Sequence, residues 1–199
     1  MKKLITPLLT LMLVGCTTAS TAETKSVDVT ENNETATRIE VIPSQPKLWT
    51  CPSCSENEQY VLRELQVKAN ITDRNALATI MGNIKQESMF IPNICEGGAR
   101  VPYERCYSGG FGLIQWTTIG RYNNLGKFAR NYGCNPTTLE CQTRFMINEK
   151  QFQDVLPEFQ NDGFYIHQYM APAYYWLGWG VEGKRVQYSH EYHSMFVKA

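Results

Sequence analysis

The chain has 199 residues and carries 19 basic and 19 acidic side chains, so its formal charge at neutral pH is zero. A chain of this length favours one domain. A nucleic-acid-binding protein needs a basic patch, and the sequence contains no such cluster. We therefore expect no nucleic-acid partner.

The N-terminal stretch MKKLITPLLTLMLVGC has the pattern of an export signal, with a basic start and then an apolar run. The run is only about a dozen residues long, too short for a membrane span. Its Leu-Val-Gly-Cys end resembles the lipobox of bacterial lipoproteins, in which the cysteine is lipidated. We predict a signal peptide over residues 1–15 and a lipid on Cys16, with an ordinary signal peptide cut elsewhere as the alternative. Thr17, rather than an acidic residue, implies a lipid anchor in the outer membrane, facing the periplasm.

Residues 17–47 are rich in Thr, Ser, Glu and Asn and contain no aromatic side chain. Such a composition buries too little apolar surface to offset the entropy of ordering the chain. We therefore predict a flexible tether over residues 16–50 and a folded domain over residues 51–199. A tether of this length reaches a root-mean-square distance of roughly 30 Å.

The chain has seven cysteines, and setting Cys16 aside leaves six. Six cysteines in an exported chain can form three disulfides, with fifteen possible connectivities. Our prediction is the pairing of nearest neighbours, Cys51–Cys54, Cys95–Cys106 and Cys134–Cys141. The CPSC stretch also fits a redox or zinc motif. A redox motif needs a βαβ context, however, which the sequence lacks. A zinc site needs a second cysteine pair of matching spacing, and Cys95/Cys106 and Cys134/Cys141 do not have that spacing.

Helical spacing of apolar residues dominates the first half of the predicted domain. Residues 56–69 carry apolar side chains at positions 61, 62 and 65. Residues 71–87 begin with Thr72 as a predicted N-cap and carry an apolar face of Leu77, Met81 and Ile84. Residues 87–119 contain glycine, proline and two cysteines, and we predict a loop with a short hairpin there.

The second half also predicts helices, with weaker signals toward the C-terminus. Residues 121–133 form a predicted helix that ends at Gly133. Thr137 and Glu140 have the spacing of a capping box before the next helix. Weaker helical patterns cover residues 151–160, 163–177 and 182–197. The predicted fold class is α+β but mostly α, with a small β or loop insert.

Glu87 closes the helix predicted over residues 71–87, and Met89, Phe90 and Ile91 follow it. Partial burial disfavours the charged form of a carboxyl group and raises its pKa. A carboxyl group that keeps its proton near neutral pH can donate it to a leaving oxygen, as in glycoside cleavage. A solvated glutamate in the last helical turn is the alternative that the local sequence alone favours.

A second motif, SGGFGLIQWT at residues 108–117, combines three glycines with Gln115 and Trp116. Glycines let the backbone approach a ligand closely or take positive φ. The Gln115 amide both donates and accepts hydrogen bonds, which suits the amide and hydroxyl groups of a sugar. Trp116 offers a flat apolar face for a sugar ring. A tight hairpin with a core tryptophan is the alternative.

Together the two motifs resemble the lysozyme superfamily, which includes goose-type lysozymes and soluble lytic transglycosylases. The closer resemblance is to the phage tail lysozyme domain, on Gly82-Asn83-x-x-x-Glu87-Ser88 and Gly112-x-x-Gln115-Trp116-Thr117. It continues through Gly120-Arg121-Tyr122 at a helix start and through Gln142 and Glu149 on the next helix. The resemblance covers residues 57–197 and is strong over residues 76–149.

The resemblance implies a lysozyme-like fold and an enzyme that degrades peptidoglycan. Glu87 would be the general acid that cleaves the β-1,4 bond between N-acetylmuramic acid and N-acetylglucosamine. Gln115 and the backbone at Gly112 would line the glycan groove, and the further substrate-binding candidates are Trp116, Asn83 and Tyr122. The expected partners are peptidoglycan strands and a membrane reached through the N-terminal lipid. We expect a monomer without a cofactor.

The resemblance leaves two mechanisms open. A hydrolase needs a second carboxylate, as nucleophile or as base for water. The nearest candidates in the sequence are Glu96 and Glu104, which would otherwise be solvated loop acids. A lytic transglycosylase needs no second carboxylate, because the acetamido group and 6-hydroxyl of the substrate help to close an anhydro product. We expect hydrolysis because the closer family is a lysozyme family. Bacterial and phage origins both fit.

Two other classes of protein are compatible with parts of the sequence. The first is a lipid-anchored glycan-binding protein with an inactive site, against which the complete Glu87 motif argues. The second is a metalloenzyme, since HEYHS at residues 190–194 resembles the zinc motif His-Glu-x-x-His. Its second histidine, His193, comes one residue early, which breaks the i, i+4 face on which a metal binds. We therefore expect no metal site.

Overall fold

The computed structural model describes residues 47–107 and 109–199. The predicted signal peptide, Cys16 and the predicted tether as far as residue 46 lie outside this part of the chain. Trp49 and Thr50, which the sequence prediction assigns to the tether, form strand β1 (Trp49–Thr50). This strand pairs antiparallel with β2 (Val197–Lys198), with Trp49 opposite Lys198.

Helices make up most of the described chain, which confirms the predicted mostly helical fold class. Their bounds are α1 (Glu56–Lys68), α2 (Arg74–Ser88), α3 (Ile119–Tyr132), α4 (Leu139–Asn148), α5 (Lys150–Gln160), α6 (Ile166–Leu177) and α7 (Arg185–Met195). Within residues 47–107 and 109–199, no helix has both the length and the apolar character that a membrane crossing requires.

Side-chain caps define where the first two helices begin. Ser55 forms a capping box with Glu58 at the start of α1. Asp73, and not the predicted Thr72, caps α2, because the Asp73 carboxylate accepts the Ala76 N–H at 2.9 Å. The N-cap prediction for α2 was therefore wrong by one residue.

The next two helices show one correct and one incorrect boundary prediction. α3 is followed by Gly133 in the left-handed conformation, as predicted. α4 is capped by Thr138, whose hydroxyl accepts the Cys141 N–H. The predicted capping residue, Thr137, instead accepts the Tyr103 N–H at 3.0 Å. A tertiary contact thus uses the hydroxyl that the local pattern assigned to the helix.

The central helix of the domain is α2, in which most residues are buried. Burial on most of its circumference places this helix in the interior of the domain. α7 crosses α2 at Gly82, where an added Cβ would lie 2.5 Å from the Ser189 backbone nitrogen. Gly82 therefore permits a close approach, which brings Arg185 at the start of α7 against the C-terminal end of α2.

The segment between α2 and α3 is the loop insert that the sequence predicts. Isolated bridges join Ile94 to Arg100 and Cys95 to Phe111. Short turns of 3-10 helix occur at Glu96–Gly98 and Tyr103–Arg105. The regular ladder lies elsewhere, at β1 and β2, so the segment is a loop held by single bridges rather than the predicted short hairpin.

Disulfides link neighbouring cysteines in three places, as Cys51–Cys54, Cys95–Cys106 and Cys134–Cys141. The first closes the turn before α1, the second spans the insert, and the third ties the end of α3 to α4. The CPSC stretch is therefore a disulfide loop in this fold. The second bridge matters most for the site, because the insert flanks the end of α2.

Candidate active site

Glu87 lies in the last turn of α2, where the helix meets the insert. Met89 and Phe90 follow with φ of 52° and 58°, a left-handed conformation that residues other than glycine rarely adopt. The chain therefore turns sharply, and Phe90 is buried in the core. The Glu87 side chain keeps 15% of its surface exposed. This turn leaves the carboxylate at the boundary between the core and solvent.

Ser88 fixes this turn to the glycine-rich loop at residues 109–117. Its hydroxyl donates to the Leu113 carbonyl at 2.7 Å. The Gly112 N–H donates to the Ile94 carbonyl at 2.8 Å, on the other side of the same turn. These bonds explain the Glu-Ser pair, since the glutamate faces outward while the serine anchors the loop beside it.

Arg185 is the direct partner of Glu87. Its Nη2 donates to Glu87 Oε1, and its Nη1 donates to the carbonyls of Val181 and Glu182 at 2.9 and 2.8 Å. The guanidinium carbon lies 4.5 Å from the centroid of the Trp179 ring. The Arg185 side chain is only 5% exposed. The pair is therefore nearly buried, and three further contacts hold the arginine in place.

Opposing effects set the protonation of Glu87. Burial raises the pKa of the Glu87 carboxyl group above its ordinary value, and this effect is the largest. The positive charges of Arg185 and then Arg121 act to lower that pKa. Among the described residues, Arg185 makes the only hydrogen bond to this carboxyl group, through Oε1. Oε2 is therefore available to carry a proton.

The glycine-rich loop is held from inside the protein by a buried amide. Gly112 has a φ of +71°, and an added Cβ there would lie 2.4 Å from Gln142 Oε1. The Gln142 side chain accepts the Leu113 N–H at 2.8 Å and donates to the carbonyls of Pro92 and Pro136. The positive φ and the close packing against Gln142 therefore explain why residue 112 is a glycine. A glycan-lining role for the Gly112 backbone stays a prediction.

Gln115 lies half-buried on the same loop, with a φ of +51°. Its Nε2 donates to the Gly112 carbonyl at 3.0 Å, so the amide turns back on its own loop. Its Oε1 packs close to Gly110, where an added Cβ would lie 2.7 Å away. Gln115 stays a substrate-binding prediction, and a sugar would compete with the loop for its donor.

Trp116 lies in the core, which contradicts its predicted role as a sugar-stacking residue. Its side chain is fully buried, and its Nε1 donates to Glu149 Oε2 at 3.2 Å. The same carboxylate accepts Trp176 Nε1 at 3.1 Å and two N–H groups of Arg121 at 3.1 and 2.6 Å. Glu149 therefore joins the glycine-rich loop, α3 and α6 through four donors.

Asn83 is also buried, so its predicted contact with substrate is wrong. It lies in the middle of α2, and its Nδ2 donates to the Thr79 carbonyl at 2.8 Å. Tyr122 is half-buried and stacks on Tyr103 with ring centroids 4.2 Å apart. With Thr117 it borders an open depression of about 460 Å³. Tyr122 therefore stays a candidate for the glycan-facing surface.

The candidate second carboxylates, Glu96 and Glu104, are both exposed on the insert. The Glu96 N–H donates to the Gly110 carbonyl at 2.8 Å. Its carboxylate occupies space that an added Cβ at Gly109 would fill. Glu96 is therefore tied to the glycine-rich loop, whereas Glu104 borders the depression next to Tyr122.

A larger depression, of about 650 Å³, lies between α1, α4 and α5 and is lined by Glu64, Glu140 and Arg144, among others. It does not include Glu87. Size alone is a poor guide here, because this depression has none of the motif residues that surround the carboxylate at the end of α2.

Sequence reasoning missed both Arg185 as the partner of Glu87 and Glu149 as the centre of a buried network. Arg185 is 98 residues from Glu87 along the chain, and its local sequence does not mark it as a carboxylate partner. The available signal was the run of glycines before α7, where Gly178 and Gly183 take positive φ. Such a run indicates a sharp bend, but not the helix against which the bend packs.

A helical domain with a nearly buried glutamate beside a glycine-rich loop is typical of lysozyme-like proteins. The model of the phage tail lysozyme family matches residues 56–182. This is more than half of the chain, and the chain therefore belongs to the phage tail lysozyme family. No curated protein and no solved structure matched the chain. Family membership indicates a lysozyme-like function on peptidoglycan. The matched region includes Glu87 and ends before Arg185.

Proposed function

We propose that this domain cleaves the β-1,4 bond between N-acetylmuramic acid and N-acetylglucosamine in peptidoglycan, with Glu87 as the general acid. The position of Glu87 carries the proposal. Burial raises the pKa of its carboxyl group, yet 15% of the side chain stays open to solvent. A carboxyl group in such surroundings can hold a proton and still reach a substrate.

In the proposed reaction, Arg185 holds Oε1 of Glu87 while Oε2 carries the proton. The proton passes to the bridging oxygen as the bond between that oxygen and the anomeric carbon of N-acetylmuramic acid breaks. The N-acetylglucosamine part leaves as an alcohol, and positive charge develops at the anomeric carbon. Glu87 becomes a carboxylate, and the adjacent Arg185 cation stabilises this new charge in a site that is partly shielded from water.

We propose hydrolysis as the outcome. Water adds to the anomeric carbon, loses a proton to a base and leaves a reducing end. Glu96 is the base to test first, because its backbone is bonded to the glycine-rich loop. Glu149 is a poor candidate, since its two oxygens already accept four N–H groups.

Transglycosylation is the second candidate outcome. Both Glu96 and Glu104 are exposed, and a reaction that needs no second carboxylate fits that exposure. The 6-hydroxyl of N-acetylmuramic acid would then attack the anomeric carbon and give an anhydro product. Mass spectrometry separates the two outcomes, because the hydrolysis product contains one more water than the anhydro product.

Loss of turbidity of purified peptidoglycan sacculi tests the proposed function. The wild-type protein should clear the suspension, and the Glu87→Gln variant should not. A wild-type protein that binds sacculi without releasing fragments would overturn the proposal and identify an inactive glycan-binding protein instead.

The predicted lipid anchor is part of the same proposal. A lipid on Cys16 would hold the domain at the outer membrane, within reach of the cell wall in the periplasm. We expect the protein to partition with membranes and a Cys16→Ser variant to be recovered in the soluble fraction. Equal partitioning of the two proteins would contradict the anchor and leave the glycosidase proposal unaffected.

A further inference from the structure

Aromatic side chains are exposed at the C-terminal end of α6 and in the turn that follows. Tyr174 and Tyr175 are 49% and 75% exposed, and Trp179 is half-buried. The other side of α6 packs in the core through Tyr169, Ala173 and Trp176. The exposed rings are therefore not needed to hold the helix in place. We call Tyr174, Tyr175 and Trp179 the aromatic surface.

Side-chain contacts link the aromatic surface to Glu87. The ring centroids of Tyr175 and Tyr174 are 6.1 Å apart, and those of Tyr174 and Trp179 are 5.2 Å apart. Trp179 lies against the guanidinium of Arg185, which itself bonds Glu87. A row of aromatic rings thus begins one side chain away from the carboxylate.

We propose that the aromatic surface binds sugar rings of the glycan strand on one side of the bond that Glu87 cleaves. Tyrosine and tryptophan combine an apolar ring with a polar group, so they can pack against the C–H face of a sugar and still bond its hydroxyl groups. Contacts to sugar units away from the reacting bond help to orient that bond for attack. The inference rests on the proposed function, because it assigns the same substrate to a neighbouring surface.

Charge and size argue against other occupants. Glu182 and Lys184 follow Trp179 with opposite charges, and both are exposed. The surface therefore lacks the basic excess that attracts anionic lipid. A stable protein interface buries about 800 Å² on each partner. Three aromatic residues, one of them already half-buried, supply less than that. A sugar ring is the ligand class whose size matches a single exposed ring.

Binding to purified peptidoglycan sacculi, measured by sedimentation, tests the proposal. All variants carry Glu87→Gln, so that the sacculi stay intact. Replacing both tyrosines, as Tyr174→Ala with Tyr175→Ala, should weaken binding about tenfold. Replacing both by phenylalanine keeps the rings and should keep binding within about twofold. Trp179 is left unchanged, because it also supports Arg185.

Tyr165→Ala is the matched control, since Tyr165 is 69% exposed at the other end of α6. It should bind like the parent protein. Unchanged binding of the double alanine variant would overturn the proposal. The proposal would also be overturned if the double alanine variant lost only binding to vesicles of phosphatidylethanolamine and phosphatidylglycerol. A loss only of self-association, measured by sedimentation velocity, would overturn it as well. Failure of the proposed function appears separately, as undiminished lysis by the Glu87→Gln parent.

Discussion

Arg185 donates a hydrogen bond to Glu87 from a helix that begins 98 residues later in the chain. The arginine is fixed by the carbonyls of Val181 and Glu182 and by the Trp179 ring. The carboxyl group is thus oriented by a cation that opposes the effect of burial on its pKa. Arg185 therefore both fixes the position of the Glu87 carboxyl group and offsets part of the rise in its pKa that burial causes.

Replacing Glu87 by glutamine should reduce lysis of sacculi by about 10²- to 10⁴-fold, the usual contribution of a general acid. The amide has no acidic proton to donate, but its oxygen can still accept the Arg185 N–H. The fold should therefore persist, with an unchanged circular dichroism spectrum. Full lytic activity in this variant would rule out Glu87 as the acid.

Replacing Arg185 by glutamine should extend activity to higher pH. The reaction requires protonated Glu87, so activity falls as the pH rises through the pKa of that carboxyl group. Arg185 lowers this pKa, and its removal raises it. The alkaline limit of the profile of kcat/KM against pH should then move upward.

Arg185→Lys is the matched variant, because it retains the positive charge. The charge of Arg121 also lowers the pKa of the Glu87 carboxyl group, and Arg121 is unchanged in both proteins. We expect the lysine variant to keep an alkaline limit close to that of the wild type. A uniform loss of activity in Arg185→Gln, without movement of the limit, would mean that the arginine acts only on the fold.

Glu149→Gln should destabilise the domain by about 3–5 kcal/mol, because it leaves the Arg121 cation without its buried carboxylate. Urea unfolding gives the change in free energy. Glu158→Gln replaces an exposed glutamate on α5 and should stay within about 0.5 kcal/mol of the wild type. Normal stability with lost lysis in Glu149→Gln would assign Glu149 a part in the chemistry.

Gly112→Ala should destabilise the domain by about 1–3 kcal/mol. The alanine would have to adopt a φ of +71° and would meet the Gln142 side chain. Gly120→Ala is the control, since Gly120 lies in the first turn of α3 with open space around it. That change should be neutral or stabilise by up to about 1 kcal/mol. Equal stability of the two variants in urea would refute the packing explanation.

Removing the Cys95–Cys106 disulfide by a double serine substitution should lower stability by about 2–3 kcal/mol, since the bridge closes a loop across 11 residues. Lytic activity should fall as well, because this loop carries Glu96 and pairs with Phe111. A reducing agent should likewise lower the thermal midpoint of the wild-type protein. Six titratable thiols in the natively purified protein would contradict the disulfides.

Local signals predicted much of the fold. Apolar residues at helical spacing indicated α1 and α2, and Gly133 marked the end of α3, because these features depend on neighbours within a few residues. The N-cap of α4 was misplaced, since the Thr137 hydroxyl bonds Tyr103 from a distant segment. Boundaries that depend on tertiary contacts are not visible in local sequence.

The site was predictable only in part for the same reason. Glu87 was predicted from the two motifs together, since the local sequence alone, a carboxylate closing a helix with an apolar inner face, favoured a solvated glutamate. Trp116 and Asn83 belong to the same motifs, yet they face inward, where Glu149 and Thr79 accept their hydrogen bonds. Spacing within a motif does not tell which side chains face the substrate and which support the loop beneath it.

The pairing of β1 with β2 has a consequence for protein engineering. Ala199 donates its N–H to the Leu48 carbonyl at 2.9 Å, so the first and last segments of the domain emerge side by side. A short peptide linker could join them into a ring. A circular permutant opened in the exposed turn at residues 161–165 would then keep the helices of the domain in their present arrangement.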